Sequence, residues 1–296
     1  SVGINNSGQF NYDNIMASTY LSTTSTSATL ATKYTISFWV KRSKPGADMR
    51  MFNNYVDGNA SGQLYFNATD QLNLYDVSGG SSAMALITNR KFRDPNAFMH
   101  IVIAVDTTQS TSSDRAKIYI NGTQETSLAT STYPSQNHSL SMQAVSASGQ
   151  RRIGSHNGGG DYFDGSLAHF HFIDGLAYAA STFGETDSTS GIWVPKLNPT
   201  VTYGTNGFFL KFENSGNMDL DSSSNNLTFA TTGTLTQTND TPSNSFMVFN
   251  PLDNVPFINT TFSNANTTIA TGSSYTGTNC NMWLTQSKWY WEIKCV

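Results

Sequence analysis

The strongest constraint on this chain is a two-residue period: short apolar alternations return along most of its length, each soon cut off by a dipeptide that accepts positive φ. Tyr34 to Lys41 (YTISFWVK) sets Ile36, Phe38 and Val40 on one side and Thr35, Ser37, Trp39 and Lys41 on the other, the alternation of a strand. Met49 to Val56, Gln63 to Asn67, Leu72 to Val77 and Met84 to Thr88 follow, divided by Asp57-Gly58, Ser61-Gly62 and Gly79-Gly80. Phe98 to Val105 (FMHIVIAV) is apolar nearly throughout, as befits a strand covered on both faces. Ala116 to Ile120 runs into Asn121-Gly122, the best hairpin signal in the chain. Gly165 to Asp174 (GSLAHFHFID) alternates again, and Gly207 to Phe212 closes the series. Helical periodicity is nearly missing; Ala177 to Phe183 has room for one turn. The expectation is an all-β fold of two antiparallel sheets packed face to face.

Uncharged groups keep such a chain in solution. Of 296 residues, 37 are Ser, 37 Thr and 29 Asn, whereas only 12% are charged and the net charge is −4. A basic surface that tracks phosphates is therefore not expected, and nucleic acid is excluded as a partner. The longest apolar stretches, Ile36 to Val40 and Ile101 to Val105, are a strand long, against the roughly 20 residues of a membrane helix, so membrane insertion is not expected. Cys280 and Cys295, the two cysteines, form neither a disulfide framework nor a zinc pattern.

After Glu213 the texture changes. Residues 1–213 hold the strand signals; residues 214–245 are Asn, Ser, Thr and Gly with one short strand, Leu227 to Ala230, and read as a polar linker. From Phe246 apolar residues return, so 246–296 reads as a partial second β region. Its last stretch, KWYWEIKCV, is a strand without a turn or cap after it, and the chain opens without an initiator Met or a signal peptide. The natural protein is expected to continue past Val296.

The sequence carries no recognisable catalytic pattern. The four Glu residues are Glu125, Glu185, Glu213 and Glu292. The nearest approach to a strand-borne acid row, Glu185-Thr186-Asp187, lies in a polar, loop-like stretch, so no nucleophile and acid pair is expected and the chain is read as a non-enzyme. His169 and His171 have the spacing that puts both imidazoles on one strand face, where they either chelate a metal or form a solvent-facing polar row; the solvent-facing row is the expectation. His100, between Met99 and Ile101, reads as a core or rim residue. Among the loop acids Asp57, Asp70, Asp76, Asp161 and Asp164, the candidate calcium ligands are Asp57, Asp161 and Asp164, and calcium is the one cofactor considered. The competing explanation is turn chemistry, since Asp57 and Asp164 each precede Gly. Tyr55, Tyr75, Tyr162 and Trp193, aromatics near predicted loops, are the candidate carbohydrate-binding residues, alongside Tyr133. Trp289, Tyr290 and Trp291 are the candidate interface, because an incomplete sandwich cannot cover them alone.

The order of segments also carries a resemblance. YTISFWVKRS (Tyr34 to Ser43), FRDPNAFMHIVIAVDTTQ (Phe92 to Gln109), DRAKIYINGTQETSL (Asp114 to Leu128), YFDGSLAHFHFIDGLAY (Tyr162 to Tyr178), FGETDSTSGIWVPK (Phe183 to Lys196) and YGTNGFFLKFE (Tyr203 to Glu213) follow in series. Together they resemble the laminin G, concanavalin A-like domain of structural proteins from tailed bacteriophages, notably those of marine bacteria. The later Asp221 to Asn226, Asp240 to Asn244 and Asn250 to Leu252 segments fit the same group, and KWYWEI (Lys288 to Ile293) is similar to the opening strand of a SPRY-type sandwich. The resemblance implies a concanavalin A-like jelly-roll sandwich over 1–213 and a truncated SPRY-like segment over 246–296. It further implies a virion structural protein: a fibre, tail appendage or capsid decoration. Its partners would be other virion proteins, copies of itself and, through host attachment, host surface polysaccharide. A secreted lectin-like adhesin is the alternative from a different class.

Overall fold

In the computed structural model the described residues are 3–11, 18–157, 159–254, 260–271, 277–280, 288, 290 and 292–294. The alternating segments become strands close to where their periodicity predicts. In chain order they are β1 (Ser7–Phe10), β2 (Tyr20–Ser25), β3 (Lys33–Arg42), β4 (Met49–Asp57), β5 (Ala60–Phe66) and β6 (Gln71–Ser78). There follow β7 (Ser81–Lys91), β8 (Met99–Asp106), β9 (Ala116–Ile120), β10 (Thr123–Gln124), β11 (Leu128–Thr132) and β12 (Ser146–Ile153). The last strands of the sandwich are β13 (Gly165–Asp174), β14 (Gly184–Thr186), β15 (Trp193–Pro195), β16 (Phe208–Leu210), β17 (Ala230–Thr232) and β18 (Thr236–Thr238). The single turn expected near Ala177 to Phe183 is a 3-10 turn at Ala180–Thr182.

Apart from β14 and β15, which pair only with each other, these strands form two antiparallel sheets. The first runs β10-β9-β8-β3-β13-β1-β18, with β16 also on β13; the second runs β11-β7-β6-β5-β4-β12-β2-β17. Between them lies the main core, built from the inward rows of Ile36, Phe38 and Val40 on β3, Ile101 and Ile103 on β8, Phe52 on β4, Leu64 and Phe66 on β5, and Phe170 and Phe172 on β13. Two arginines enter this interior. Arg42 pairs with Asp70 at 3.1 Å and lies 4.3 Å from the Phe66 ring centroid; Arg151 donates to the Asn206 carbonyl at 3.0 Å and lies over Phe172. Burial lowers both guanidinium pKa values, that of Arg151 to about 10.

The segment 214–245, expected as a linker, instead builds the sandwich. β17 pairs with β2 at the edge of the second sheet and β18 with β1 at the edge of the first. The Asp221 carboxylate accepts the N–H groups of Phe209, Ser223 and Leu227, and Asp240 meets buried Lys41 at 2.8 Å. Polar composition there reflects edge strands held by hydrogen bonds rather than free chain.

The outer face of the first sheet is also covered. Residues 175–207 fold back over it: Phe183 and Tyr203 pack with Val102 and Ile173, and Trp193, on the β14–β15 hairpin, packs with these and with Trp39. This cover corrects the expectation of a solvent-facing histidine row: His169 and His171 are 3% and 2% exposed. Leu167 and Phe170 both reach the main core, which needs an extra residue between them, and His169 supplies it by taking φ 45° at a shift of register in the β13–β3 pairing. The His171 ring then stacks on Phe209 at 3.8 Å, and its Nδ1 lies 2.9 Å from the Tyr203 hydroxyl.

Past the sandwich, β19 (Phe249–Asn254) pairs with β22 (Thr278–Cys280), and β20 (Thr260–Ser263) with β21 (Thr268–Thr271), a further β region as expected. Asn266 ties it to the sandwich by donating to the Ser43 carbonyl at 2.8 Å.

Candidate functional site

Every second residue of the second sheet points away from the core, and register alone fixes what that face presents. Asn53 on β4 stands opposite Gln63 on β5, which stands opposite Tyr75 on β6. One step along, Arg50 stands opposite Tyr65, and Tyr65 opposite Asn73; on the other side of that step Tyr55 stands opposite Ser61. β12 extends the row, with Arg152 between Asn53 and Ser22 of β2. Amides, tyrosines and arginines therefore share one face, opposite the large aliphatic and phenylalanine side chains of the core.

Neighbours hold these groups in place. The rings of Tyr65 and Tyr75 lie 6.1 Å apart at 31°. The Arg50 guanidinium sits 3.7 Å from the Tyr65 centroid and pairs with Asp161 at 3.1 Å. Arg152 covers Tyr20 at 4.6 Å, and Tyr20 stacks on Tyr162 at 6.4 Å. Asn53 donates to the Gly62 carbonyl at 3.1 Å and accepts the Asn157 N–H at 3.4 Å, so the loop after β12 frames one end of the face. In that loop burial lowers the His156 pKa, reinforced by the nearby charges of Arg50 and Arg152, which leaves a neutral imidazole edge-on to Tyr55 at 6.1 Å. Burial raises the Tyr65 pKa despite the opposing pull of Arg50, so the phenol is a neutral donor at physiological pH. Asn53 and Asn73 are buried and brace the strands, Asn73 by donating to the Gln71 carbonyl at 2.8 Å, so the groups left to meet a ligand are the Tyr65 and Tyr75 rings with Gln63, Arg50 and Arg152 beside them. These match a flat ligand with many hydroxyls, whose C–H faces stack on tyrosine and whose hydroxyls meet the polar groups.

Three of the four aromatics picked out by sequence lie on this side, Tyr55 and Tyr75 on the strands and Tyr162 at the rim. Trp193 does not. It is on β15, over the first sheet, where its Nε1 donates to His100 Nδ1 at 3.0 Å and its ring fills the space left by Gly122 at φ 80°. Tyr133 packs against the main core. Tyr20, Tyr65, Arg50, Arg152, Asn53, Gln63 and Asn73 were missed. The signal for several of them was present in Gln63-x-Tyr65 and Asn73-x-Tyr75, the polar halves of the alternation that marked β5 and β6.

The aspartates proposed for calcium are not gathered. Asp57 closes its own turn by accepting the N–H groups of Asn59 and Ala60, and Asp161 is engaged by Arg50. Asp164 is buried beside β13, where its carbonyl accepts the Ser43 N–H. Among the described residues no three His, Cys, Asp or Glu side chains are grouped to hold a metal ion, so this donor set does not fit calcium. The loop carboxylates of Asp70 and Asp76 are likewise internal: the first joins Arg42 and Arg93, the second accepts the N–H groups of Ser141 and Met142. Of the candidate interface, Tyr290 is 86% exposed, while Trp289 and Trp291 lie outside the described residues, as does Cys295.

Residues 16–181 match the family described as the concanavalin A-like lectin/glucanases superfamily. Among solved structures, a native heptameric SAP-like pentraxin from Limulus polyphemus is similar at 16% identity and TM-score 0.45, over 71% of this chain and 96% of that one. A putative carbohydrate-binding protein from Bacteroides ovatus is similar at 15% identity and TM-score 0.48, over 80% of this chain and 60% of that one. Domains LG4-5 of the mouse laminin alpha1 chain are similar at 8% identity and TM-score 0.40, over 71% and 49%. No curated protein matches the chain.

Proposed function

Since the chain belongs to the concanavalin A-like lectin/glucanases superfamily, we propose that the outer face of its second sheet binds polysaccharide and that the chain is a surface component of a phage particle. The observation that carries the binding role is the pairing of Tyr65 and Tyr75 across β5 and β6, with Gln63 and Asn73 in the register positions beside them. Side chains already fixed by neighbours lose little freedom when a ligand arrives, which favours stacking on a sugar chain. Single contacts of this kind are weak, and repetition over many copies on a particle multiplies them.

The virion role rests on the ordered series from Tyr34 to Glu213, which resembles phage structural domains. A fibre, a tail appendage or a capsid decoration would each display the face toward a host surface. On this proposal residues 246–296 open a SPRY-type domain, and Trp289, Tyr290 and Trp291 meet a further copy or another virion protein. The role is binding without bond cleavage: Glu125 accepts the Ser127 N–H, Glu185 lies 3.6 Å from Lys196, and Glu213 lies 3.9 Å from His169, each in a local contact.

The test is retention on immobilised host surface polysaccharides. Wild-type protein should be retained, and Tyr65→Ala and Tyr75→Ala should each weaken retention about tenfold, near the upper end for one aromatic contact. Absence of retention on every polysaccharide, or unchanged retention in both variants, overturns the binding role. Absence of the chain from purified particles overturns the virion role.

A further inference from the structure

A second feature lies on the opposite side of the sandwich. Where residues 175–179 cross the outer face of the first sheet they leave a cleft of about 370 Å³. Tyr119 and Tyr178 line it together with Ala104, Asp106, Asp114 and Lys117. Small residues leave room for it: Ala104 on β8, and Ala177 and Ala179 on the crossing segment, are part of its lining.

The cleft is built before any ligand arrives. Tyr178 is anchored three ways: its N–H donates to Thr35 Oγ1 at 2.8 Å, its hydroxyl accepts the Thr202 N–H at 3.1 Å, and its ring meets Phe183 edge-on at 6.3 Å. Thr35 in turn donates to the Leu176 carbonyl at 2.8 Å, and Gly175 N–H donates to the Lys33 carbonyl at 3.0 Å, which clamps the crossing segment to β3. Tyr119 packs against the small core of Val102 and Ile173. Neither tyrosine has to be ordered on binding.

Charge narrows the ligand class. Asp106 pairs with Lys33 at 3.1 Å and Asp114 with Lys117 at 2.9 Å, so the carboxylates at the cleft are matched by ammonium groups. A charged ligand finds no unmatched partner there, and a purely apolar one would strip water from these ions without replacing their hydrogen bonds. Hydroxyl groups, which both donate and accept, suit a lining that holds carboxylates and an ammonium group, and the two tyrosines suit the C–H faces of a sugar ring. The volume is at the small end of ligand sites, about 300–1,000 Å³.

We propose that this cleft is a second saccharide site, distinct from the tyrosine face of the second sheet, and that it takes a neutral mono- or disaccharide unit. With sites on opposite faces, one molecule bridges two glycan chains.

The test is chemical-shift mapping of the full chain with maltose, lactose, cellobiose and laminaribiose at millimolar concentration, with glucuronic acid as the charged comparison. At least one neutral disaccharide should shift Tyr119, Tyr178 and Lys117. Ala179→Trp, at an exposed position where a large side chain fills the cleft, and Tyr119→Ala should each weaken that binding about tenfold or more. Tyr75→Ala, on the other face, should leave it unchanged, which separates this site from the polysaccharide face whatever becomes of the latter. The proposal is overturned if none of the four disaccharides shifts the cleft residues, if Ala179→Trp binds as wild type does, or if glucuronic acid binds more tightly than the neutral sugars.

Discussion

His100 and His171 sit in the interior made by residues 175–207 over the first sheet, and His169 is buried beside them against His171 and Phe209, so a charged imidazole has little water to solvate it. His100 is held between Ser37 Oγ at 2.9 Å and the Trp193 indole, and its burial pushes the pKa down to about 3. Burial, with Lys211 nearby, takes His169 to about 4, and His171 falls well below its ordinary value for the same first cause, aided by the other two histidines. Unfolded, all three titrate near 6.5. Below that pH the unfolded chain takes up protons that the folded chain refuses, so stability is intact above about 6.5 and falls as pH drops, by about 1.4 kcal/mol per pH unit for each histidine until its folded pKa is reached, about 4 for His169 and about 3 for His100. His100→Gln, which keeps a donor and an acceptor, should flatten that slope by the share of one histidine, about 1.4 kcal/mol per pH unit. Urea unfolding at a series of pH values reads it directly, and an identical slope in wild type and variant would remove buried histidine as the cause. The sequence GSLAHFHFID carries half of this result: Leu167 and Phe170 cannot both face the core in an unbroken strand, which is the trace of the bulge at His169. That the histidines are covered was not legible, because the cover is supplied by Phe183, Trp193, Tyr203 and Phe209, none of them in that strand.

At the scale of elements, legibility follows chemistry. β3, β8, β9 and β13 are apolar enough to announce themselves, whereas β2 (YLSTTS), β17 (ATT) and β18 (TQT) are held mainly by ladder hydrogen bonds and look like loop composition. This is why the boundary after Glu213 looked natural and why the chain disregards it. Ending the chain at residue 213 would strip an edge strand from each sheet, leave the buried Phe209 N–H without the Asp221 carboxylate and leave Lys41 buried without Asp240. Breaking one buried pair alone costs about 3–5 kcal/mol. A chain of residues 1–213 should therefore melt well below one of residues 1–254, or fail to fold. Equal midpoints by thermal denaturation would restore 214–245 to the status of a linker.

As a whole the molecule is a sandwich whose two outer faces differ in kind. One is a row of tyrosine, glutamine and arginine on the second sheet; the other is roofed in part by residues 175–207, which leave the cleft beside Tyr119 and Tyr178. Sequence brought out Tyr55, Tyr75 and Tyr162 because aromatics near turns are conspicuous, yet it could not pair Tyr75 with Tyr65 or set Asn53 beside Gln63, since register belongs to pairs of strands. The same distinction bears on calcium. Loop aspartates look like ligands one at a time, but Asp57 is bound by two N–H groups of its own turn and Asp161 by Arg50. If binding rests on rings and amides, a chelator such as EDTA should leave polysaccharide retention within about twofold of its untreated value, a change of less than roughly 0.5 kcal/mol. Loss on chelation with recovery on adding calcium would move the site from the sheet face to the loops. Salt gives a second check on the same experiment: the Arg50 charge is already matched by Asp161, so retention of a neutral polysaccharide should change little as ionic strength rises, as expected for stacking rather than ion pairing.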